Sequence, residues 1–500
     1  MSWKFGVRAY PLLFVVLLLS LAAYLGFQQQ HNDFWDNYFI ASHMSWGDTQ
    51  TWFNPQYPIG YGLFLKGIMG DGLPVVPAIL ANILFMAILL FVCGWLYLKL
   101  LIPGWAFFAL VGLSLFPEMF HYAIVGGGDP GAVAFFTLGA ALLLAQLSGL
   151  KVGRPRLFFI AGVFMGVAGL FRYHALVANA MFFLAFFVIY PRQWKMLFIA
   201  GLGVLAGYSP QWVVNLAAGR GLLETQFGPM NVYFLMHQIN WYRVTDLVMP
   251  HSSMEIIAAD PSLFFRKYLQ AFLSFYPAYL PPFFAALFER DPIRQKIARA
   301  LALWVFLYFL LFSATVSGRQ ILLVLPFTFL ALGISLRILA EKLGRFPRLR
   351  VAAPAVAMFL VLLLQGRIVV YAVEWRASVR DARISVESLL KREGVTRASE
   401  VFTSDYNLYF RTLPDYMPYF NGGAPRWGTY LYNETFPEFP VDSGEDFVAT
   451  CRLRGVRFVI LDGGSPELSI PMGKLYEGLL EIPGLALERA QDGYKIYRVL

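Results

Sequence analysis

Charged residues are scarce in this sequence. Asp, Glu, Lys and Arg make up 14% of its 500 residues, whereas about a quarter of the residues in a soluble globular protein are charged. Hydrophobic residues account for 58% of the chain, and the mean hydropathy is +0.57. This composition excludes an ordinary water-soluble fold and indicates that most of the chain is surrounded by lipid.

Cysteine and histidine are also rare, with 2 and 6 copies. Cys93 lies in an apolar stretch and Cys451 in the polar C-terminal part, so no disulfide is expected between them. No two histidines stand at the i, i+4 spacing of a helical zinc site. The sequence therefore predicts neither a metal ion nor another cofactor.

Long apolar stretches dominate what is present. They are separated by short polar segments, and each is long enough for a membrane helix or nearly so. We therefore predict a polytopic α-helical membrane protein with about eleven transmembrane helices. The stretches are residues 9–27, 74–98, 104–125, 130–149, 157–171, 174–190, 196–216, 267–288, 300–317, 320–340 and 351–372.

The net charge of +9 reflects topology, because basic residues of short loops mark the cytoplasmic side and no nucleic-acid partner is needed to explain them. If each apolar stretch crosses the membrane once, the loops rich in Lys and Arg all fall on the same side of the membrane. The first stretch follows Lys4 and Arg8, which predicts a cytoplasmic N-terminus and an uncleaved signal anchor, with a cleaved signal peptide as the alternative. We expect a multi-pass protein of the bacterial inner (plasma) membrane, with its C-terminal part outside the cytoplasm.

Residues 373–500 have the composition of an ordinary globular domain. The pattern predicts an amphipathic helix, strands at Val401 and at 456–463, and a final hairpin that turns at Asp492 and Gly493. The predicted organisation is a membrane domain, residues 1–372, followed by a small extracytoplasmic α/β domain, residues 373–500.

The first extracytoplasmic loop, residues 28–73, is the most polar part of the membrane domain. It contains Asp33 and Asp36, which share one face if Asp33 begins a short helix. Trp35 and Tyr38 are suited to the membrane interface. The alternative is a solvated loop in which an aspartate caps a helix.

The order of residues in this loop resembles the first-loop pattern of the GT-C glycosyltransferases. Asp36 and its aromatic neighbours are followed by Ala41, Gly47 and the segment NPQYPIGY, residues 54–61, which leads into an apolar helix. The segments GGGDPGAVAFF, GLFRYHAL and SGRQILLVLPFTFLAL are similar to further landmarks of that family. The nearest relatives in kind are the protein O-mannosyltransferases and the aminoarabinose transferases, and the resemblance covers about residues 1–372.

The resemblance implies a GT-C-like catalytic domain over residues 1–372. It would transfer a sugar, with inversion, from a polyprenyl-phosphate donor to a lipid, glycan or protein acceptor at the extracytoplasmic membrane face. Asp36 matches the position of the family's general base best, and Asp33 is the second candidate. A carboxylate suits this role because it can take the proton of an acceptor hydroxyl as the new bond forms.

The leaving group of such a reaction is a lipid phosphate, which requires a fixed cation. Arg172 and Arg319 lie at predicted extracytoplasmic helix junctions within apolar sequence, and we predict that they bind the donor phosphate. Snorkelling to lipid headgroups is the alternative for each. Further candidates for lining the cavity are Glu118, Asp129, Tyr57 and the weaker Arg243.

Two other functions fit a polytopic protein. A secondary transporter normally carries its ionisable residues mid-helix and often shows repeated halves, whereas these residues gather at one membrane face and no repeat is detectable. A non-catalytic membrane assembly protein of envelope glycan biosynthesis would bind through its C-terminal domain. Loss of turnover in Asp36→Asn, with donor binding kept, distinguishes the enzyme from both.

Overall fold

The computed structural model of the protein is mostly helical. It describes residues 3–27, 34, 37–38, 41, 44–53, 57–68, 75–147, 154–222, 232, 235–236, 253–312, 318–342, 347–397, 400–403, 443–462 and 470–500. The chain divides into two compact units, one comprising Met1–Phe227 and Asp260–Ala372, the other Gly228–Ala259 and Val373–Leu500. Residues 228–259, which the predicted membrane domain includes, are thus grouped with the second unit.

The first unit is a bundle of apolar helices. Its helices are α1 (Trp3–Tyr24), α2 (Ile59–Ile68), α3 (Val75–Leu100), α4 (Pro103–Ser114), α5 (Pro117–Ala123), α6 (Asp129–Leu147), α7 (Pro155–Phe171), α8 (His174–Ile189) and α9 (Trp194–Ala217). The helix α10 (Ser253–Ala259) belongs to the second unit. The first unit continues with α11 (Pro261–Ser274), α12 (Tyr276–Phe288), α13 (Pro292–Phe312), α14 (Leu325–Lys342) and α15 (Pro347–Arg392), whose residues from Val373 onward belong to the second unit. Short 3-10 turns lie at Thr49–Trp52 and Gly318–Leu323.

The outer faces of these helices are apolar. In α1 the side chains of Leu12, Leu13 and Val16 are exposed, while Phe14 and Leu18 are buried. So many large apolar side chains exposed on adjoining helices would be unfavourable in water, but they are compatible with a lipid environment. The helix α6 is the most enclosed of the five long apolar helices: 83% of its most apolar 18-residue stretch is buried, against 6% of the corresponding stretch of α15.

Every apolar stretch identified in the sequence contains a helix, and the predicted fold class is confirmed. Five described helices are long and apolar enough to cross a membrane, or seven if each of two bent pairs forms one span. The bends measure 63° between α4 and α5 and 61° between α11 and α12. The helices α2, α7 and α8 are shorter apolar helices. The total of about eleven spans stays a prediction.

Four glycines bring α7 and α9 into close contact. A Cβ atom at Gly162 would lie 1.9 Å from the Ala200 carbonyl oxygen, and one at Gly207 would lie 2.3 Å from that of Val163. Gly166 and Gly203 are equally confined by backbone of the opposite helix. Small residues at a four-residue spacing allow such backbone contact between membrane helices. The relative position of α7 and α9 is therefore fixed closely.

A buried ion pair joins α12 to α14. The carboxylate of Glu289, which follows α12 directly, accepts a hydrogen bond from Arg337, and both side chains are about nine-tenths buried or more. Arg337 also donates to Glu341 at 3.0 Å. By the predicted topology this pair lies towards the cytoplasmic ends of the helices. A buried charge of this kind is stable only with such partners.

The second unit contains a four-stranded sheet in the order β1 (Val401–Thr403), β2 (Phe458–Asp462), β4 (Tyr494–Val499) and β3 (Leu485–Gln491). The pair β1–β2 is parallel and the other two pairs are antiparallel. The helices α16 (Gly444–Arg454) and α17 (Ile470–Glu477) are part of this unit. The core includes Phe402, Phe447, Cys451, Val459, Leu461 and Met472. The predicted small α/β domain is confirmed.

Two local predictions in this unit can be compared with the structure. The hairpin turn forms at Asp492 and Gly493, both with positive φ, as a two-residue turn between antiparallel strands requires. The amphipathic helix predicted after residue 373 is present, but as the continuation of the last apolar stretch, because α15 runs unbroken to Arg392. Residues 373–392 contain neither glycine nor proline, so no helix-breaking residue interrupts α15 there.

Candidate functional site

The site is built on the junction between α7 and α8. The helix α7 ends where Arg172 adopts an extended conformation (φ −152°, ψ 124°), and α8 begins two residues later at His174. This is the turn that the sequence predicted at Arg172–His174.

Arg172 forms an ion pair with Asp129, the first residue of α6. Its Nη2 atom donates to Asp129 Oδ2 at 2.5 Å, and the side chains of Arg172 and Asp129 are 12% and 1% exposed. The carboxylate of Asp129, one of the candidates for lining the cavity, is thus engaged with the arginine. The pair brings together two residues from helices that pack along their length.

Glycines in the GGGDPG segment allow this approach. A Cβ atom at Gly128 would lie 2.9 Å from the Phe171 carbonyl oxygen and 3.6 Å from Arg172 Nε. A Cβ atom at Gly131 would lie 2.7 Å from the Phe171 ring. Any side chain at these positions would displace the end of α7, so the segment must remain small for Arg172 to reach Asp129.

Arg319 lies near His174, the first residue of α8. It belongs to the 3-10 turn Gly318–Leu323, which contacts α6 and α8. The His174 side chain is close enough to Asp129, Arg172 and Arg319 for all three charges to act on it. The structure therefore gathers both predicted phosphate-binding arginines, Asp129 and His174 at one end of the helical bundle.

Tyr57 is the site residue contributed by the first loop. The centre of its ring lies 6.0 Å from Arg172 Cζ, within the range of a cation–π contact. Two residues later α2 begins, and a Cβ atom at Gly60 of this helix would lie 2.5 Å from the Leu170 carbonyl oxygen. The loop thus meets the α7–α8 junction directly.

The first loop also contains a short helical segment, of which residues 34, 37–38 and 41 are described. Phe34, Asn37 and Ala41 have helical conformation and are buried, and the rings of Phe34 and Tyr38 are stacked. Asp33 and Asp36, the predicted catalytic residues, lie outside the described residues. Their roles remain proposals.

Among the described site candidates, Glu118 is not part of this cluster. Glu118 is exposed in the first turn of α5, just after the 63° bend between α4 and α5. Arg243, His31 and His43 lie outside the described residues. Among the residues that the structure describes, no three His, Cys, Asp or Glu side chains form a group able to hold a metal ion.

Two buried amides next to the site were not identified from the sequence. Gln211 and Asn215 of α9 are 0% and 1% exposed, and Gln211 accepts a hydrogen bond from the Ile59 backbone N–H at 2.8 Å. Their presence four residues apart in an apolar helix was a usable signal, since polar side chains in membrane helices need partners.

Comparison with solved structures identifies the architecture. The chain is similar to ArnT from Cupriavidus metallidurans bound to undecaprenyl phosphate, with a TM-score of 0.57, 12% identity and 98% of each chain covered. It is also similar to ArnT from the same organism in the apo state, with a TM-score of 0.55, 13% identity and 98% of each chain covered. The chain has the GT-C fold. This confirms the GT-C-like fold that the sequence resemblance implied, and the structural similarity extends over nearly the whole chain, in agreement with a multi-pass membrane protein.

The comparisons by sequence find nothing. No protein-family model matches the chain, and no curated protein matches it.

Proposed function

We propose that the protein is an inverting GT-C glycosyltransferase that moves a sugar from a polyprenyl-phosphate donor to a lipid, glycan or protein acceptor at the extracytoplasmic membrane face. The observation that carries this proposal is the position of Arg172 and Arg319 around His174, with Arg172 paired to Asp129, at one end of a lipid-facing GT-C bundle. A similar structure, ArnT, binds undecaprenyl phosphate. A lipid phosphate of this kind suits a site in which two arginines lie within apolar sequence.

Arginine is suited to this ligand because its planar guanidinium contacts two phosphate oxygens at once and stays charged at every accessible pH. As the bond from the anomeric carbon to the phosphate oxygen breaks, negative charge grows on the leaving phosphate. Two arginines held in place stabilise that charge without having to reorganise. Asp129 holds Arg172 in position by the ion pair, and a guanidinium can contact a carboxylate on one edge and a phosphate on another.

Asp36 is proposed as the general base, with Asp33 as the second candidate, on the strength of the first-loop resemblance. The carboxylate would take the proton of the acceptor hydroxyl or amine while the acceptor attacks the anomeric carbon opposite the phosphate. The products are the glycosylated acceptor, with inverted configuration, and polyprenyl phosphate. We propose that no metal ion or other cofactor takes part, since arginine alone can stabilise the leaving group.

The test is a transfer assay with the purified full-length protein in lipid nanodiscs. Donors are polyprenyl-phosphate sugars, and the acceptor is identified by mass spectrometry of envelope glycans and lipids from cells with and without the gene. A lost modification that the purified protein restores from such a donor supports the proposal. Transport of the donor without transfer would show a transporter, and normal glycans with altered assembly would show a non-catalytic protein.

A further inference from the structure

The outer end of α9 holds both ends of the loop segment that carries Tyr57. At one end of this segment, the Ile59 N–H donates to Gln211 Oε1 at 2.8 Å in a buried environment. At the other end, the Phe53 ring lies 5.7 Å from Arg220 Cζ, just beyond the C-terminus of α9. Tyr57 lies between these two attachments.

Gln211 is itself held by a second amide. Its Nε2 atom donates to Asn215 Oδ1 at 2.8 Å, and Asn215 Nδ2 donates to the carbonyl oxygens of Gly221 and Leu222 at 3.2 and 3.1 Å. Each amide thus has both a donor and an acceptor contact. A buried amide network in which these contacts are satisfied fixes side-chain orientation, because any rotation would leave a polar atom unpaired in an apolar setting.

The turn after α9 is equally well defined. Gly219 has φ +69°, its N–H donates to the Leu216 carbonyl, and the Arg220 N–H donates to the Asn215 carbonyl at 2.8 Å. This is a Schellman motif, and it sets the position from which Arg220 reaches Phe53. Asn215 therefore supports both attachments, one through its side chain and one through its backbone.

From these contacts we infer that Gln211 is a positioning residue for the donor-phosphate site. It holds the turn at Tyr57–Ile59 so that the Tyr57 ring stays against the Arg172 guanidinium. The ring limits the directions in which Arg172 can point, so a phosphate meets an arginine that is already oriented. The inference rests on the proposed function, since it assigns Gln211 a part in the same phosphate site.

The experiment measures binding of undecaprenyl phosphate to the full-length protein in nanodiscs, by microscale thermophoresis, for four proteins: wild type, Gln211→Leu, Tyr57→Leu and the double variant. Loss of a cation–π contact predicts roughly three- to twentyfold weaker binding for Tyr57→Leu. We expect a similar loss for Gln211→Leu and no further loss in the double variant, because both changes remove the same support for Arg172.

Two controls separate positioning from general destabilisation. Gln146→Leu removes another buried amide at the opposite end of α6, roughly 25 Å along the helix from Asp129, and should leave binding unchanged. Gln211→Glu keeps an acceptor for the Ile59 N–H and should bind more tightly than Gln211→Leu. The second variant also serves if Gln211→Leu does not fold.

The outcomes distinguish the two proposals. If Arg172→Ala weakens binding but Gln211→Leu does not, or if the losses in the double variant add, the positioning role is wrong and the phosphate site stands. If wild type does not bind undecaprenyl phosphate, or if Arg172→Ala binds it as wild type does, the proposed site itself is wrong, and the role of Gln211 is overturned with it.

Discussion

The Asp129 carboxylate and the Arg172 guanidinium lie 2.5 Å apart, although 43 residues separate them in the sequence. The pair joins the start of α6 to the end of α7 and is almost wholly buried. Removing one partner of a buried ion pair costs about 3–5 kcal/mol, because the other charge remains in an apolar setting. Substitutions at this pair therefore affect stability as well as any bound anion, and tests of function must separate the two.

For Arg172→Ala we expect undecaprenyl phosphate to bind roughly ten- to a hundredfold more weakly, since charge-assisted hydrogen bonds to the phosphate are lost. Arg172→Lys should restore binding only in part, because an ammonium cannot form the two-pronged contact. Binding to the purified variants is the measurement.

The matched control is Arg337→Ala. Arg337 is buried like Arg172 and paired with Glu289 in the same manner, but it lies roughly 18 Å along α14 from the start of that helix. It should lower the melting temperature comparably and leave phosphate binding intact. Equal binding losses in both variants would attribute the Arg172 effect to stability alone.

Asp36→Asn should reduce turnover by roughly a hundredfold or more while donor binding stays nearly unchanged. The amide keeps the size of the side chain but cannot accept the proton of the acceptor. Single-turnover transfer and donor binding, measured on the same preparation, check this. Full activity in Asp36→Asn would contradict the mechanism, whereas an inactive Asp33→Asn with an active Asp36→Asn would move the base to Asp33.

Transfer activity should survive chelation. The leaving phosphate is proposed to be stabilised by arginine, so EDTA should change the rate by less than about twofold. A loss that magnesium or manganese reverses would instead assign Asp33 and Asp36 to metal ligation. Dialysed enzyme with each metal added back separates the two results.

The C-terminus is predicted to lie outside the cytoplasm, because about eleven spans follow a cytoplasmic N-terminus. A reporter that is active only in the cytoplasm, fused after Leu500, should be silent. A fusion after Arg192, in the basic segment between α8 and α9, provides the active control. Activity at Leu500 would mean that the number of spans is even.

Cys451 should resist thiol reagents while the second unit is folded. The thiol is fully buried in its core, and this burial raises the pKa of Cys451 to about 12 despite the nearby Arg454 guanidinium. Because the thiolate is the reactive form, maleimide labelling at pH 8 should be slow in native protein. A Cys93→Ser background leaves Cys451 as the single thiol. Rapid labelling before denaturation would contradict this packing.

Helices were predictable from the sequence because apolar stretches and their flanking charges are local features. The hairpin at Asp492–Gly493 and the turn at Arg172 were predictable for the same reason. The bend after Ser114 was not, since the sequence shows one apolar stretch there. The end of the last span was placed by polarity at residue 372, whereas α15 continues because nothing between 373 and 392 breaks a helix.

The site was only partly predictable. Arg172 and Arg319 were identified individually, because an arginine in apolar sequence needs a partner. Their common neighbour His174, the pairing of Arg172 with Asp129, and the bond from Ile59 to Gln211 across 152 residues depend on which helices are adjacent. A single sequence contains no direct signal for such adjacency.

The glycine contact between α7 and α9 also sets the distance between two parts of the proposed phosphate site. Arg172 ends one of these helices, and Gln211 lies one turn beyond Gly207 on the other. Helices with larger side chains at their contact lie about 8–10 Å apart, so a leucine at Gly203 would spread the two ends that carry these residues. In a saturation scan selected for phosphate binding, Gly162, Gly166, Gly203 and Gly207 should therefore tolerate as little variation as the arginine, although each faces the backbone of the neighbouring helix.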